Sequence, residues 1–192
     1  MSVKLTKEQL KDVFIGVSEF RFATESKPFA ANMEWDYELP ILRDSLSFDN
    51  PAPTINPVYI HGLQKPYAST SEPSDITIAF EIPSIHEDIT GFLYNQAGTI
   101  DKISDTVNGV AGTWSGQGIK LDGKVIEGMA MIISEDRKHA ILIKNLKGYS
   151  SANMNDISTT PVSFTVTATL EGGVTEDQDG DIVFMTFTPT AG

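Results

Sequence analysis

The chain has 192 residues, of which 40% are hydrophobic and 21% charged, so it can bury one globular core, and we expect a single domain over residues 1–192. Its 26 acidic residues outnumber 14 Lys and Arg, and the formal net charge of −12 argues against the basic surface with which nucleic-acid-binding proteins neutralise phosphates. The absence of cysteine excludes disulfides, thiolate metal sites and thiol nucleophiles, and it suits a reducing compartment.

The start of the chain carries two local signals. Residues up to Leu10 lack the apolar core of a signal peptide, and no apolar run of about 18 residues occurs in the sequence, so we expect no crossing of a membrane. Thr6 and Gln9 form a capping box, in which each side chain satisfies a backbone donor at a helix start. They predict a short helix from about Lys7 to Ile15.

Three segments show the two-residue period of a strand with one buried and one solvated face. Apolar and acidic residues alternate from Met33 to Leu39, and apolar and polar residues alternate over Ile76–Ile82 and Phe164–Leu170. This alternation favours antiparallel sheets, because parallel strands are covered on both faces and have continuous apolar runs.

A second helix is predicted after the second of these strands. Ser84 and Glu87 form another capping box, and the apolar residues between Ile89 and Leu93 have the i, i+3, i+4 spacing of a buried stripe. The predicted helix runs from about Ile85 to Gln96. The sequence therefore predicts a mainly β fold, an antiparallel β-sandwich or partly closed barrel with one or two short flanking helices.

The C-terminal third predicts hairpins that continue as a meander. Asp122-Gly123 lies between two short alternating runs and predicts a tight hairpin, because Asp-Gly readily takes the positive φ angles of a type I′ turn. Met129–Ile133 and Ala140–Leu146 predict the next strand pair, and Ile182–Thr188 predicts the last strand.

Two segments do not fit a compact sandwich. Prolines are concentrated between Pro40 and Pro73, and because proline cannot donate to a ladder we expect residues 40–74 to be mostly extended chain outside any sheet. The Gly-rich residues 98–118 around Trp114 alternate poorly and predict a flexible arm, not a long hairpin. Both segments carry apolar residues, which pack either on the chain's own core or on another molecule.

No catalytic or metal motif is present in the sequence. We interpret the three histidines as structural, because none has the spacing or partner of a metal ligand. Asp177, Asp179 and Asp181 lie in a solvated turn by this interpretation, since Thr188 stands where a calcium loop needs its bidentate glutamate. Ser115 is out of register for a nucleophile elbow. We predict a non-enzymatic protein with no catalytic residue, cofactor or metal.

In the order of its elements the chain resembles the major tail proteins, which build the tail tube of long-tailed bacteriophages and prophages. The resemblance rests on Ser45–Gly62, Asp75–Ile85 with the short helix that follows, and the strands at Ala140–Tyr149 and Ser163–Glu171. It implies a β-sandwich or barrel subunit with a flanking helix and no enzymatic activity. Such subunits form hexameric rings that share an inner β-barrel and stack into a hollow tube, with extended arms between rings.

The resemblance also implies partners and a location. The partners are further copies of the chain and other tail proteins, with no membrane, and DNA passes through the tube without specific binding. The location is the virion tail, assembled in the cytoplasm of the bacterial host. The reaching arm would then be the Pro-rich segment, and the lysines Lys144 and Lys147 would offset charge at subunit contacts.

Two sets of residues are candidates for roles in such an assembly. The acidic residues of the first alternating segment are candidates for the wall of the lumen, where they would repel DNA: Glu34, Asp36 and Glu38. Large apolar residues of the two unusual segments are candidates for an arm between subunits: Phe48, Ile55, Tyr59, Tyr67 and Trp114.

Two other classes of function stay open on the sequence. An extracellular carbohydrate-binding or adhesin-like β-sandwich would stack a sugar on Trp35, Tyr59, Tyr67 or Trp114. The missing signal sequence argues against that class. An enzyme would need an activity for which the sequence shows no motif.

Overall fold

The computed structural model describes residues 13–25, 33–62, 64–154, 158–171 and 182–189. These residues form twelve strands and one short helix. In chain order they are β1 (Glu19–Ala23), β2 (Tyr37–Glu38), β3 (Ser47–Asp49), β4 (Thr54–Val58), β5 (Ala68–Glu72), β6 (Thr77–Ile82), α1 (Glu87–Leu93), β7 (Asn95–Val107), β8 (Val110–Lys120), β9 (Val125–Ile133), β10 (His139–Asn153), β11 (Ser163–Leu170) and β12 (Ile182–Thr186).

An antiparallel sheet of eight strands forms the body of the protein. Its order is β2-β1-β9-β10-β11-β6-β3, and β12 pairs with β10. Strands β4 and β5 form one separate hairpin, and β7 and β8 form another. The predicted mainly β, antiparallel fold with a flanking helix is confirmed, and the partly closed barrel stays a prediction.

The core lies inside the curl of this sheet. Strands β1 and β6 are separated by three strands in the sheet order, yet the rings of Phe20 and Phe80 lie 4.5 Å apart between centroids. The sheet therefore curves until residues near its two ends touch. Helix α1 adds Phe92, whose ring lies 4.6 Å from that of Tyr37, and Leu93, which is fully buried.

Strand β10 pairs with β9 along one edge and with two different strands along the other edge. Its first part, His139–Ile143, pairs with β12, and its later part, Leu146–Asn153, pairs with β11. The change coincides with an irregularity at Asn145, which has a φ of 52°. The predicted meander is therefore confirmed for β9, β10 and β11, but β12 returns to β10.

The two lysines expected at subunit contacts have intramolecular surroundings. Lys144 lies at the irregularity of β10 with 2% of its surface exposed, so the prediction that it offsets charge at a subunit contact is wrong for this residue. The Nζ of Lys147 lies 2.9 Å from the carboxylate of Glu127 and 3.8 Å from that of Glu171. Its charge is thus offset within the subunit.

The helix predicted over Ile85–Gln96 is longer than the observed one. Helix α1 begins after His86, whose Nδ1 accepts a hydrogen bond from the backbone N–H of Asp88, and it ends before Tyr94, which is extended. It stops there because β7 begins at Asn95. Of the predicted helix Lys7–Ile15, residues 7–12 lie outside the described residues and residues 13–15 are not helical. No helix in the described parts of the chain is long and apolar enough to span a membrane.

The tight hairpin predicted around Asp122-Gly123 is wrong, and so is its type I′ turn. Gly123 has a φ of 73°, but Asp122 does not share the positive φ that a type I′ turn needs at both central residues. The flanking strands also belong to different sheets, because β8 pairs with β7 and β9 pairs with β1 and β10. The turn links the long hairpin to the body, and Asp122 accepts a hydrogen bond from the Asn95 side chain.

The Pro-rich and Gly-rich segments are both more regular than predicted. Residues 40–74 contain three strands, since β3 pairs with β6 and β4 pairs with β5, with Pro57 inside β4. Proline is tolerated there because β4 has no second neighbour among the described strands that needs its N–H. Residues 98–118 belong to a long hairpin and not to a flexible arm.

Close approach of β10 and β11 requires a glycine at position 148. A Cβ at this residue would overlap the carbonyl oxygen of Thr167 and the backbone of Ala168. We expect Gly148→Ala to lower the free energy of unfolding by roughly 1–3 kcal/mol, measured by chemical denaturation. Gly112→Ala is the matched control, because a Cβ there meets no atom within 4 Å. Equal stability of the two variants would contradict this packing.

Candidate functional site

The longest feature outside the body is the hairpin of β7 and β8. Its strands pair from Asn95↔Lys120 to Val107↔Val110, and a strand of 13 residues extends roughly 40 Å at 3.3 Å per residue. The turn is Asn108-Gly109, with φ angles of 51° and 81°. Two positive φ angles are typical of a type I′ turn, for which Asn-Gly is the preferred sequence. This dipeptide was the signal in the sequence that could have predicted the hairpin.

The two faces of the hairpin differ in chemistry. Directly paired residues share a face, so the register divides the side chains into two sets. Every large apolar residue from Ile100 to Trp114 lies on one face, and each has 45–70% of its surface exposed. We call this the apolar face: Ile100, Ile103, Val107, Val110 and Trp114. The other face is composed mainly of small and polar residues: Gln96, Thr99, Ser104, Thr106, Ala111, Thr113, Ser115 and Gln117.

A β-bulge keeps the apolar face continuous. Ile103 pairs with Trp114 and Ile100 pairs with Gly116, so two residues of β7 oppose Ser115 alone. Lys102 within the bulge has a φ of 55°. In an unbroken strand Ile100 and Ile103 would lie on opposite faces, and the extra residue brings them to the same one.

At the base of the hairpin, the polar face is turned toward the protein's own body, whereas both faces of its outer part are exposed. The Gln96 amide lies against Gly91 of α1, and Gln117 lines a shallow groove together with Glu87. Ile119, on the same face at the base of the hairpin, packs against the core. The described part of the chain leaves the large residues of the apolar face uncovered.

One acidic residue lies within the apolar face. Asp105 accepts a hydrogen bond from the Trp114 indole Nε1 at 3.0 Å and another from the backbone N–H of Thr106 at 2.7 Å. The indole and backbone donors hold the pKa of the Asp105 carboxyl below its usual value, since both favour the charged form. The face thus carries one negative charge at neutral pH.

This pair gives a prediction for titration with acid. In a Trp35→Phe variant, Trp114 is the remaining tryptophan, and we expect its fluorescence to change as the pH falls through the lowered pKa of Asp105. The contact is fully charge-assisted above that pKa and weakens below it. The midpoint should lie below the value of about 3.9 for an unperturbed aspartate. Asp105→Asn should remove the transition, and an unchanged titration in that variant would contradict the assignment.

The Pro-rich hairpin of β4 and β5 is exposed on both faces. Every residue of the two strands is exposed, including Ile55 and Val58. Tyr59 and Tyr67 are exposed in the link between the strands. The Ser74 hydroxyl closes the base of the hairpin by donating to the carbonyl oxygen of Ala52. Like the longer hairpin, this one has no further strand partner among the described residues.

The predicted arm residues are all exposed but do not form one arm. Ile55, Tyr59 and Tyr67 lie on or beside the Pro-rich hairpin, and Trp114 lies on the long hairpin. Phe48 lies in β3, where it lines a small apolar cavity of about 180 Å³ together with Phe184. The structure thus distributes the predicted set over three surfaces.

The predicted acidic residues share one exposed side of their segment. Glu34, Asp36 and Glu38 are exposed and alternate with half-buried residues, as expected from the sequence. The Asp36 carboxylate also accepts hydrogen bonds from the backbone N–H and hydroxyl of Thr24, at 2.7 and 2.8 Å. Asp36 therefore ties the segment to the end of β1. A position in the wall of a lumen stays a prediction for all three.

A groove of about 660 Å³ lies on the outer face of the sheet, over β1, β9, β10 and β12. Its apolar lining is rich in methionine and aromatic residues: Met33, Trp35, Met131, Met185 and Phe187. A network of charges lies in the same groove. The carboxylate of Glu19 contacts the guanidinium of Arg21 and, at 3.1 Å, that of Arg137. Sequence reasoning identified only Trp35 of these residues.

Two of the three histidines have contacts within the subunit. His86 caps α1, and His139 lies 3.6 Å from the Asp136 carboxylate in the turn between β9 and β10. Ser115 is an exposed residue within β8, without the strand-turn-helix of a nucleophile elbow. No group of three potential ligands in the described residues could hold a metal ion. Asp177, Asp179 and Asp181 lie outside the described residues.

The chain matches no known protein-family model, and no curated protein matches it. The two hairpins and the groove are therefore the features on which a functional proposal rests.

Proposed function

We propose that the protein is a structural subunit that assembles with copies of itself, of the tail tube type built by long-tailed bacteriophages and prophages. The observation that carries the proposal is the apolar face of the long hairpin, which the described residues of its own chain leave exposed. Five large apolar side chains lie on that face, Trp114 among them. Contiguous exposed apolar surfaces of this kind mark protein interaction sites.

The energetics of isolated hairpins support self-assembly. A two-stranded hairpin is marginally stable by itself in water, and a third strand or a packed face is needed to stabilise it. This chain has two such hairpins, and β2 and β3 end the order of the main sheet. A neighbouring copy would supply the missing contacts and cover strand edges that otherwise favour aggregation.

The net charge suits a conduit for DNA. Each copy contributes a formal charge of −12, and duplex DNA carries about one negative charge per 1.7 Å of its axis. If Glu34, Asp36 and Glu38 face the lumen, repulsion keeps DNA from adhering to the wall. The repulsion acts within a Debye length of roughly 8 Å at physiological salt, so it would not prevent passage. This proposal places the protein in the virion tail.

Sedimentation velocity over a range of protein concentrations, followed by negative-stain electron microscopy, tests the proposal. We expect rings or tubes above a threshold concentration, with no ligand added. A sample that stays monomeric at high concentration, with both hairpins protected from protease, would overturn it.

A carbohydrate-binding module is the second candidate function. The observation that favours it is the position of Trp35, which lines the 660 Å³ groove beside the charged residues Glu19, Arg21 and Arg137. A partly exposed aromatic ring beside hydrogen-bonding groups is a suitable platform for a sugar. Glycan binding that is lost in a Trp35→Ala variant would support this function over the first.

A further inference from the structure

We infer that the groove over β1, β9, β10 and β12 of one copy receives the apolar face of the long hairpin of a second copy. The inference rests on the proposed self-assembly and names the surface that the hairpin contacts. The described part of one subunit leaves the apolar face exposed and the groove open, and the two surfaces share no residue.

The two surfaces match in apolar character. The hairpin presents a narrow ridge of isoleucine, valine and tryptophan side chains. The remaining positions of β8 on that face are Gly112, Gly116 and Gly118, with Lys120 at the base of the hairpin. The groove is lined by three methionines, Trp35 and Phe187. Methionine side chains are unbranched and polarisable, so they adapt to the shape of an inserted apolar ridge. The methionines and Trp35 pack against a small buried cluster that includes Met129 and Leu142.

The two surfaces are also complementary in charge. The groove holds Arg21 and Arg137 against the single carboxylate of Glu19, which leaves one net positive charge with His139 neutral. These are two of the three arginines in a chain of net charge −12. Asp105 supplies one negative charge within the apolar face. The side chain of Arg137 is 72% exposed, so its guanidinium is accessible to a carboxylate from another copy.

Such a contact joins two different surfaces of the subunit, so each copy can bind two others. Each added copy uses its hairpin and still offers its groove, so the assembly closes into a ring or continues as a filament. A symmetric dimer built on this contact would need both hairpins to reach both grooves at once. The inferred contact therefore favours large assemblies over dimers.

Cysteine cross-linking tests the contact, because the natural chain contains no cysteine. One variant carries Ile103→Cys on the apolar face, and a second carries Met185→Cys in the groove. The two are mixed under assembly conditions and oxidised. In the control, Ser104→Cys takes the place of Ile103→Cys. Ser104 follows Ile103 in the sequence but lies on the polar face.

We expect the Ile103→Cys and Met185→Cys variants to form a disulfide-linked dimer. Its yield should be at least tenfold higher than that from Ser104→Cys mixed with Met185→Cys. Equal yields from the two mixtures, or no cross-link in particles that form normally, would overturn the inferred contact while the proposed function stands. Circular dichroism and particle images of each single variant show whether the substitutions preserve fold and assembly. If the unsubstituted chain forms no particle at any concentration, the proposed function fails and the contact fails with it.

Discussion

Replacing Ile103 and Trp114 together by threonine is expected to abolish assembly while leaving the subunit folded. The two residues are paired across β7 and β8 at the centre of the apolar face, and each has more than half of its surface exposed. Central residues of an interface, tryptophan above all, commonly contribute 2 kcal/mol or more to binding. Loss of both should raise the threshold concentration for assembly by about 100-fold or more. Sedimentation velocity measures this threshold directly.

The control for this experiment lies on the opposite face of the same strands. Ser104 and Thr113 are also a directly paired set, and they belong to the polar face. A Ser104→Thr, Thr113→Ser variant should assemble at the same concentration as the unsubstituted chain. The thermal unfolding midpoint of the monomer should be unchanged in both variants, because neither pair is buried in the subunit. Normal assembly of the threonine variant would show that the apolar face is not an interface.

Phe80→Ala is expected to destabilise the subunit itself by about 3–5 kcal/mol, the usual range for removal of a buried aromatic side chain. Phe80 is 1% exposed, and its ring contacts that of Phe20 where the curved sheet brings β6 against β1. The substitution removes this contact between the distant strands and leaves a cavity. Chemical denaturation below the assembly threshold measures the change in the free energy of unfolding.

Phe184→Ala provides a comparison on the surface. Phe184 is 79% exposed, so its removal should change the stability of the monomer by about 0.5 kcal/mol or less. A similar effect of the two substitutions would mean that the sheet does not curl around Phe80 as described.

The sequence predicted those strands that have one face in the core. The alternating segments at Ile76–Ile82 and Phe164–Leu170 became β6 and β11, because burial of every second side chain leaves a two-residue pattern. Alternation also predicted which side of residues 33–39 is exposed. It did not predict that the segment contains only the two-residue strand β2, since pairing length depends on the partner strand.

The long hairpin could not be recognised from alternation, for two physical reasons. The bulge at Lys102 shifts the residues of the apolar face from even-numbered to odd-numbered positions within β7. The two-residue period of the sequence therefore breaks at the bulge, although the apolar face continues through it. Glycines also fill much of β8 between its large residues. Asn108-Gly109 was the local signal that remained, and it was missed.

The candidate surfaces were predictable only in part. Exposure of Ile55, Tyr59, Tyr67 and Trp114 was foreseen as one of two alternatives, because a long apolar connection either packs on its own core or on another molecule. The groove brings residues from β1, β9, β10 and β12 together, and their positions in the chain are too distant for spacing to reveal. Its charged network likewise depends on tertiary structure.

The separation of the long hairpin from the eight-stranded sheet has a consequence for how its length can vary. Because β7 and β8 pair with each other and with no other described strand, trimming residue pairs next to the Asn108-Gly109 turn would shorten the hairpin by about 3.4 Å per pair without shifting any strand of the body. In the proposed assembly, a change in the length of this hairpin would therefore alter the spacing between neighbouring copies while the eight-stranded sheet stays the same.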